Sequence, residues 1–331
     1  MQPKDKNVRP DSEIKQLRDF DSFFELLDYF DTEEKCVSYL ATLRWNGKPE
    51  CPYCAHNENI YLLKGKNKRW KCSACRKQFS VRIGTIFEES KLPLRKWFFA
   101  IYLATAHKKG ISSHQLARDL KITQKAAWFV LHRIRHAFAP DLPQFTEPVE
   151  IDESFIGGKE KNKHYDKRTE GTQGRSVKTK VPVLGMLERG GKIYATPITD
   201  TSKQSILPII HSTVKEGNTI YTDELVTYRS LKDKYQHHIV NHSANEYVKG
   251  SVSTNSIESF WALLKRGLTG IYHNVSPEHL PKYINEFTFR FNNRLLTDGS
   301  RFDVLLANVN NKRLPYAVLI TNKKKDTGIQ N

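Results

Sequence analysis

Four of the five cysteines stand in two close pairs, Cys51-Pro52-Tyr53-Cys54 and Cys72-Ser73-Ala74-Cys75, with 17 residues between the pairs. That spacing lies within the range of a zinc ribbon. Each Cys-x2-Cys knuckle brings two thiolates to one tetrahedral ion, and two knuckles close a structural four-thiolate site. A unit of about 40 residues buries too little apolar surface to fold unaided. A bound Zn ion contributes on the order of 10 kcal/mol, so the metal decides whether such a unit folds. The ribbon is expected over residues 46–85, with Tyr61-Leu62-Leu63 and Arg69-Trp70-Lys71 in its hairpins. Around it stand Lys64, Lys66, Lys68, Arg69, Lys71, Arg76 and Lys77, a basic face that either meets nucleic acid or is simply solvated. A redox dithiol pair is the competing reading of the knuckles. The fifth cysteine, Cys36, reads as a small buried hydrophobe.

At 331 residues the chain suggests two or three domains. Its 53 Lys and Arg against 36 Asp and Glu give a net charge of +17, which suits a polyanionic partner. A ribosomal protein or a membrane-surface binder would share that charge. No apolar stretch approaches the roughly 20 residues that cross a bilayer. The start, Met1-Gln2-Pro3-Lys4-Asp5-Lys6, lacks the apolar core of a signal peptide. The expectation is a soluble, cytoplasmic protein, whose reducing surroundings favour a metal over disulfides.

Periodicity divides the remainder. Residues 1–45 read as a helical lead-in, with Asp31 capping a helix through Cys36, Tyr39, Leu40 and Leu43. Residues 86–140 read as helices: one through Trp97, Phe98, Ile101 and Tyr102, one capped by Ser112-Ser113, and one capped by Thr123. The last two, joined by a tight turn at Lys121-Ile122, suggest a helix-turn-helix. Gln124 and Lys125 would reach base edges, and His132, Arg133 and Arg135 would meet phosphates. After the linker Ala139-Pro140-Asp141-Leu142-Pro143, strands and helices alternate over residues 145–300, and residues 301–331 read as a tail ending near Lys323-Lys324-Lys325. The polar stretch from Lys159 to Lys180 reads as an exposed loop. A Pro281 inside the last long helix of this region would disfavour a bond back to residue 277. The order of elements, strands at 147–156, 181–187, 193–198, 219–222 and 238–240 with helices between and after, fits an α/β, ribonuclease H-like fold.

Three acids fall at the ends of different elements: Asp152 after Val149-Glu150-Ile151, Asp223 after Thr219-Ile220-Tyr221-Thr222, and Glu258 within Asn255-Ser256-Ile257-Glu258-Ser259-Phe260-Trp261. Lys265 follows Glu258 by seven residues, nearly two helical turns, so both share one helix face. Three converging carboxylates can hold two Mg²⁺ ions, as in-line attack on a phosphodiester requires. Glu153 and Glu224 read as neighbouring decoys, Glu153 because a strand alternates its side chains. Asn255 is a poorer ligand than a carboxylate. His237, His238 and His242 read as solvated or hydrogen-bonding residues, with His242 a possible DNA contact.

The strings Val149-Glu150-Ile151-Asp152-Glu153-Ser154-Phe155-Ile156-Gly157-Gly158-Lys159 and Asn255 to Gly267 resemble insertion-sequence DDE transposases with an N-terminal zinc ribbon, the ISXO2-like group. Tyr272-His273, Tyr283-Ile284-Asn285-Glu286-Phe287 and Arg290-Phe291-Asn292 extend the resemblance to about residues 35–295. Ser253, Asn274 and Pro281 depart from it, standing where relatives tend to carry His, and spare the carboxylates. The resemblance implies a bacterial, nucleoid-associated enzyme that cuts and joins double-stranded DNA, with two Mg²⁺ (or Mn²⁺) ions on Asp152, Asp223 and Glu258. It further implies Lys265 on a phosphate, one Zn ion on Cys51, Cys54, Cys72 and Cys75, and a homodimer or higher assembly on DNA. The alternatives are a transposase-derived regulator that binds without cutting and a ribonuclease H-like nuclease that cuts without joining.

Overall fold

Short side-chain caps set where the first helices begin. In the computed structural model, which describes residues 19–65, 68–158, 164–169, 176–240 and 255–321, Ser22 caps α1 (Phe23–Tyr29) and Thr32 caps α2 (Glu33–Trp45). Thr32 Oγ1 accepts the Lys35 amide at 3.4 Å. The expected cap, Asp31, instead pairs with Lys35 Nζ at 2.9 Å. Lys66, His242, Ser253, the tail lysines and parts of the 159–180 stretch lie outside the described residues.

The chain divides into two compact units, each assembled from separated segments. The first comprises residues 19–107, 113–137 and 296–319. It contains an antiparallel sheet of β1 (Ile60–Leu63), β2 (Arg69–Cys72) and β3 (Gln78–Phe79), in that order. Trp45, the last residue of α2, meets Trp70 of β2 edge-on at 4.8 Å between ring centroids, which ties the ribbon to the helix before it. Then come α3 (Leu94–Ala106), α4 (Ser113–Leu120) and α5 (Gln124–Ala137). Lys121 turns the chain between α4 and α5 at φ 48°, and Thr123 Oγ1 accepts the Ala126 amide at the start of α5.

The segment expected as a tail instead supplies core. Helix α9 (Asp298–Ala307) buries Phe302, Leu305 and Leu306, and Phe302 meets Phe20, Phe30, Phe98 and Tyr102 in one aromatic cluster. The short run Val304-Leu305-Leu306 gives little sign of this, because the ring partners of Phe302 lie about 200 positions or more away in sequence.

The second unit comprises residues 108–112 and 138–295, with the last described residues. Its sheet runs β6-β5-β4-β7-β8, where β4 is Val149–Ile156, β5 Val181–Glu188, β6 Ile193–Pro197, β7 Thr219–Thr222 and β8 Gln236–Ile239. The first three strands are antiparallel, and β7 and β8 run parallel to β4. Alternation along β4 and β5 fills both faces. Val149, Ile151, Leu184 and Met186 join a core with α6 (Lys203–Thr213) and the 3-10 helix Val226–Asp233. Val183, Leu187, Ile193 and Ala195 join a core with α7 (Asn255–Gly267) and α8 (Leu280–Asn292). Helix α8 begins late enough that Pro281 occupies its first turn, where the missing amide has no intrahelical partner, so the expected lost bond does not arise. Gly110 stands at φ 96° beside Tyr272, where an added Cβ would lie 2.0 Å from the hydroxyl.

Candidate active site and zinc centre

The four knuckle sulfurs come together. Cys51 and Cys75 lie 3.6 Å apart, Cys54 and Cys72 3.7 Å, and all four sulfur atoms fall within 4.8 Å of one another. A tetrahedron with Zn–S bonds of about 2.3 Å has edges of about 3.7 Å, so the spacing fits the ion. Each knuckle is turned by a left-handed residue after its second cysteine, Ala55 at φ 56° and Arg76 at φ 60°. The Ala55 amide closes the first turn on the Cys51 carbonyl at 2.8 Å.

On the second unit the central strand and its parallel neighbour carry two of the expected acids. Asp152 lies midway along β4 and Asp223 directly follows β7. Asp152 is held on both oxygens: Oδ1 accepts the Glu153 amide at 2.8 Å and Oδ2 accepts the Trp261 indole N–H at 2.9 Å. Trp261 reaches it because Gly185, the register partner of Asp152 on β5, has no side chain; a Cβ there would lie 2.5 Å from the indole ring. Asp223 Oδ1 accepts the Leu225 amide at 3.0 Å, which curls the chain after β7 and keeps the carboxylate at the strand end.

Burial, reinforced by the charges of Asp223 and Glu258, raises the Asp152 carboxyl to about 6, although the Glu153 amide and Trp261 oppose the shift. Carboxylates that repel each other this way are suited to a divalent cation. Glu258 lies in the first turn of α7 and Lys265 in the last. Both are exposed, beside the buried stripe Ile257, Phe260, Trp261 and Leu264.

Glu153 alternates away from Asp152 as its place on the strand implies. Its side chain leaves β4 on the face opposite Asp152, where the buried Tyr228 hydroxyl donates to Oε1. Even so, carboxylate oxygens of Asp152, Glu153 and Asp223 lie within 4.8 Å of one another. Glu224 is exposed and outside that group. His237 accepts or donates a 2.8 Å bond with Thr222 Oγ1, His238 stacks on Tyr221, and neither joins a metal-ligand cluster among the described residues.

At the start of α5, Gln124 and Lys125 are exposed, the first bonded to Ser113 Oγ at 2.9 Å and the second over the Tyr316 ring. Arg133 and Arg135 are not at the surface; each is 2 % exposed. Arg133 spends its guanidinium on the carbonyls of Leu314 and Glu88 and lies over the Phe129 ring. Burial leaves these two, and the fully buried His132, no surface to offer a phosphate, contrary to the expectation from sequence. A basic helix face looks the same in sequence whether its partners are phosphates or carbonyls.

The approach of Trp261 has a sequence signal. A glycine inside the apolar strand Val183-Leu184-Gly185-Met186-Leu187 marks a close approach. No local signal announces Tyr228.

Similarity to known proteins agrees with this geometry. Residues 144–292 match the family model of the ISXO2-like transposase domain, and residues 31–78 match that of the transposase zinc-ribbon domain. The uncharacterized protein in transposable element ISH50 of Halobacterium salinarum is 30% identical over 271 residues, 79% of this chain and 91% of that protein. An uncharacterized transposase-like protein of Haemophilus influenzae is 31% identical over 103 residues, 31% of this chain and 82% of its own length. The acids of the central sheet, the four-cysteine ribbon and an alignment spanning nearly all of a transposon-borne relative make this chain a member of the ISXO2-like, or IS1595, transposase family.

Proposed function

We propose that this transposase binds the terminal repeats of its own element, cleaves phosphodiester bonds there and joins the freed 3′ ends to target DNA. The observation that carries this reading is the convergence of Asp152 and Asp223 at the end of the β4–β7 pair, with Glu258 on the helix that packs against β4. The strand order β6-β5-β4-β7-β8, antiparallel on one side of β4 and parallel on the other, supports a ribonuclease H-like core. Asp152, Asp223 and Glu258 would hold two Mg²⁺ ions, with Mn²⁺ as substitute. When bound, such a pair lowers the pKa of an attacking water and stabilises the leaving oxygen of an in-line displacement.

The chain's own groups do the rest. Trp261 holds the Asp152 carboxylate in one orientation through its indole N–H. Lys265 binds a phosphate beside the scissile bond and offsets the crowded negative charge. The α4–turn–α5 pair acts as a helix-turn-helix, with Gln124 and Lys125 at base edges. The ribbon, closed by Zn on Cys51, Cys54, Cys72 and Cys75, adds a second basic surface. Joining two ends needs two sites, so the working form on DNA is a homodimer or larger.

The test is a strand-transfer assay with purified protein, Mg²⁺, a labelled duplex carrying the element's terminal repeat, and a supercoiled plasmid. Label should join the plasmid, and Asp152→Asn should abolish both cutting and joining while changing end binding only a few fold. Retarded but uncut DNA would favour a regulator, and cutting without joining would favour a nuclease. An Asp152→Asn protein that still nicks DNA would overturn the assignment.

A further inference from the structure

A buried carboxylate beside the site carries no role in the chemistry above. Glu150 lies on β4 two residues before Asp152, on the same face, and is 1 % exposed. Oε1 is paired with Arg189 Nε at 3.2 Å, and Oε2 accepts the backbone amide of Ile257 at 3.1 Å. Ile257 is the third residue of α7, and its amide is one of the first-turn donors that have no partner within a helix. A negative charge at that end also meets the positive pole of the helix dipole. Arg189 in turn lies over the ring of Tyr221, its guanidinium carbon 3.8 Å from the centroid. Tyr221 is the register partner of Glu150 on β7 and stands two residues before Asp223.

We propose that Glu150 is a positioning residue: it fixes the first turn of α7, and so Glu258, relative to Asp152 and Asp223. One side chain touches all three acid-bearing elements, β4 by its own backbone, α7 through the Ile257 amide and β7 through Arg189 on Tyr221. Glu258 immediately follows the residue that Glu150 holds. A residue present only to fill this core would be better replaced by an apolar one, because a buried ion pair gives back little net stability. Its return here is the placement of one helix end.

The inference rests on Glu258 being a metal ligand, and a double-mutant cycle on the full chain keeps the two apart. Mn²⁺ binding is measured by electron paramagnetic resonance for the wild type, Glu150→Ala, Glu258→Gln and the double variant, with thermal unfolding in parallel. Loss of an outer-shell partner is expected to weaken Mn²⁺ about tenfold. Glu150→Ala should do so in the wild-type background and have no further effect once Glu258 is gone. Glu150→Gln, which keeps an acceptor for the amide, should recover most of the affinity. If Glu150→Ala does not fold, Arg189→Met serves instead, and it should weaken Mn²⁺ only while Glu258 is present. Wild-type affinity in the folded Glu150 or Arg189 variant, with Glu258→Gln weakened, overturns the inference and leaves the Glu258 assignment standing. Additive losses in the double variant overturn it too. Wild-type affinity in Glu258→Gln overturns the assignment of Glu258 and the inference together.

Discussion

Asp152 is the residue on which the site turns, and its environment gives a pH signature. Its carboxyl ordinarily titrates at 3.8 and is raised to about 6 in the folded, metal-free protein, first by burial and then by Asp223. The folded state therefore holds a proton that the unfolded chain has released, and this contribution to stability is lost as pH rises from about 4 to about 6. Under the proposed two-metal reading, a cation held by Asp152 displaces that proton. Mn²⁺ affinity should accordingly rise by about tenfold per pH unit up to about 6 and then level off, measured by titration at pH 5, 6 and 7. A flat profile would contradict Asp152 as a ligand. Asp152 and Asp223 stand out in the sequence because each follows a short strand-like run, and the structure brings their carboxylates within 4.8 Å of each other. The alternation of Glu153 on β4 is as expected, and the nearness of its carboxylate to those of Asp152 and Asp223 has no local sequence signal. The sequence misled at Arg133, where burial among carbonyls cannot be distinguished by composition from a surface for phosphate.

Among the elements, the ribbon and α9 are held by opposite means. The ribbon sheet has three short strands and a small aromatic contact at Trp45, Trp70 and Phe79. Cys72→Ser should release zinc and unfold β1 to β3; full zinc content by elemental analysis would refute the four-thiolate centre. Helix α9 is held by apolar burial together with the Tyr39 hydroxyl, which donates to Asp303 Oδ1 at 2.6 Å. Phe302→Ala should destabilise its unit by about 3–5 kcal/mol, read from denaturant unfolding, since the ring is fully buried among four aromatic neighbours. A change below about 1 kcal/mol would mean that the helix frays without cost. The alternation of strand and helix after residue 145 was readable because period 2 gives way to period 3.6 there. The place of α9 was not, because its partners are at the far end of the chain.

Over the whole molecule the positive charge is the dominant fact. With 53 basic against 36 acidic residues, binding to DNA should weaken with salt by about 0.9 log units per log unit of salt for each phosphate neutralised. Electrophoretic mobility shifts between about 50 and 200 mM salt measure the slope, and a slope near zero would contradict a phosphate-based footprint. The burial of Arg133 and Arg135 removes two charges from that count. The unit that holds the ribbon is closed by residues 296–319, which follow residues 138–295 of the acid-bearing unit in the chain. During synthesis residues 138–295 must therefore emerge before the first unit can complete its core. A chain cut short before residue 296 would keep residues 138–295 while its first unit lost α9 and the burial of Phe302 with it.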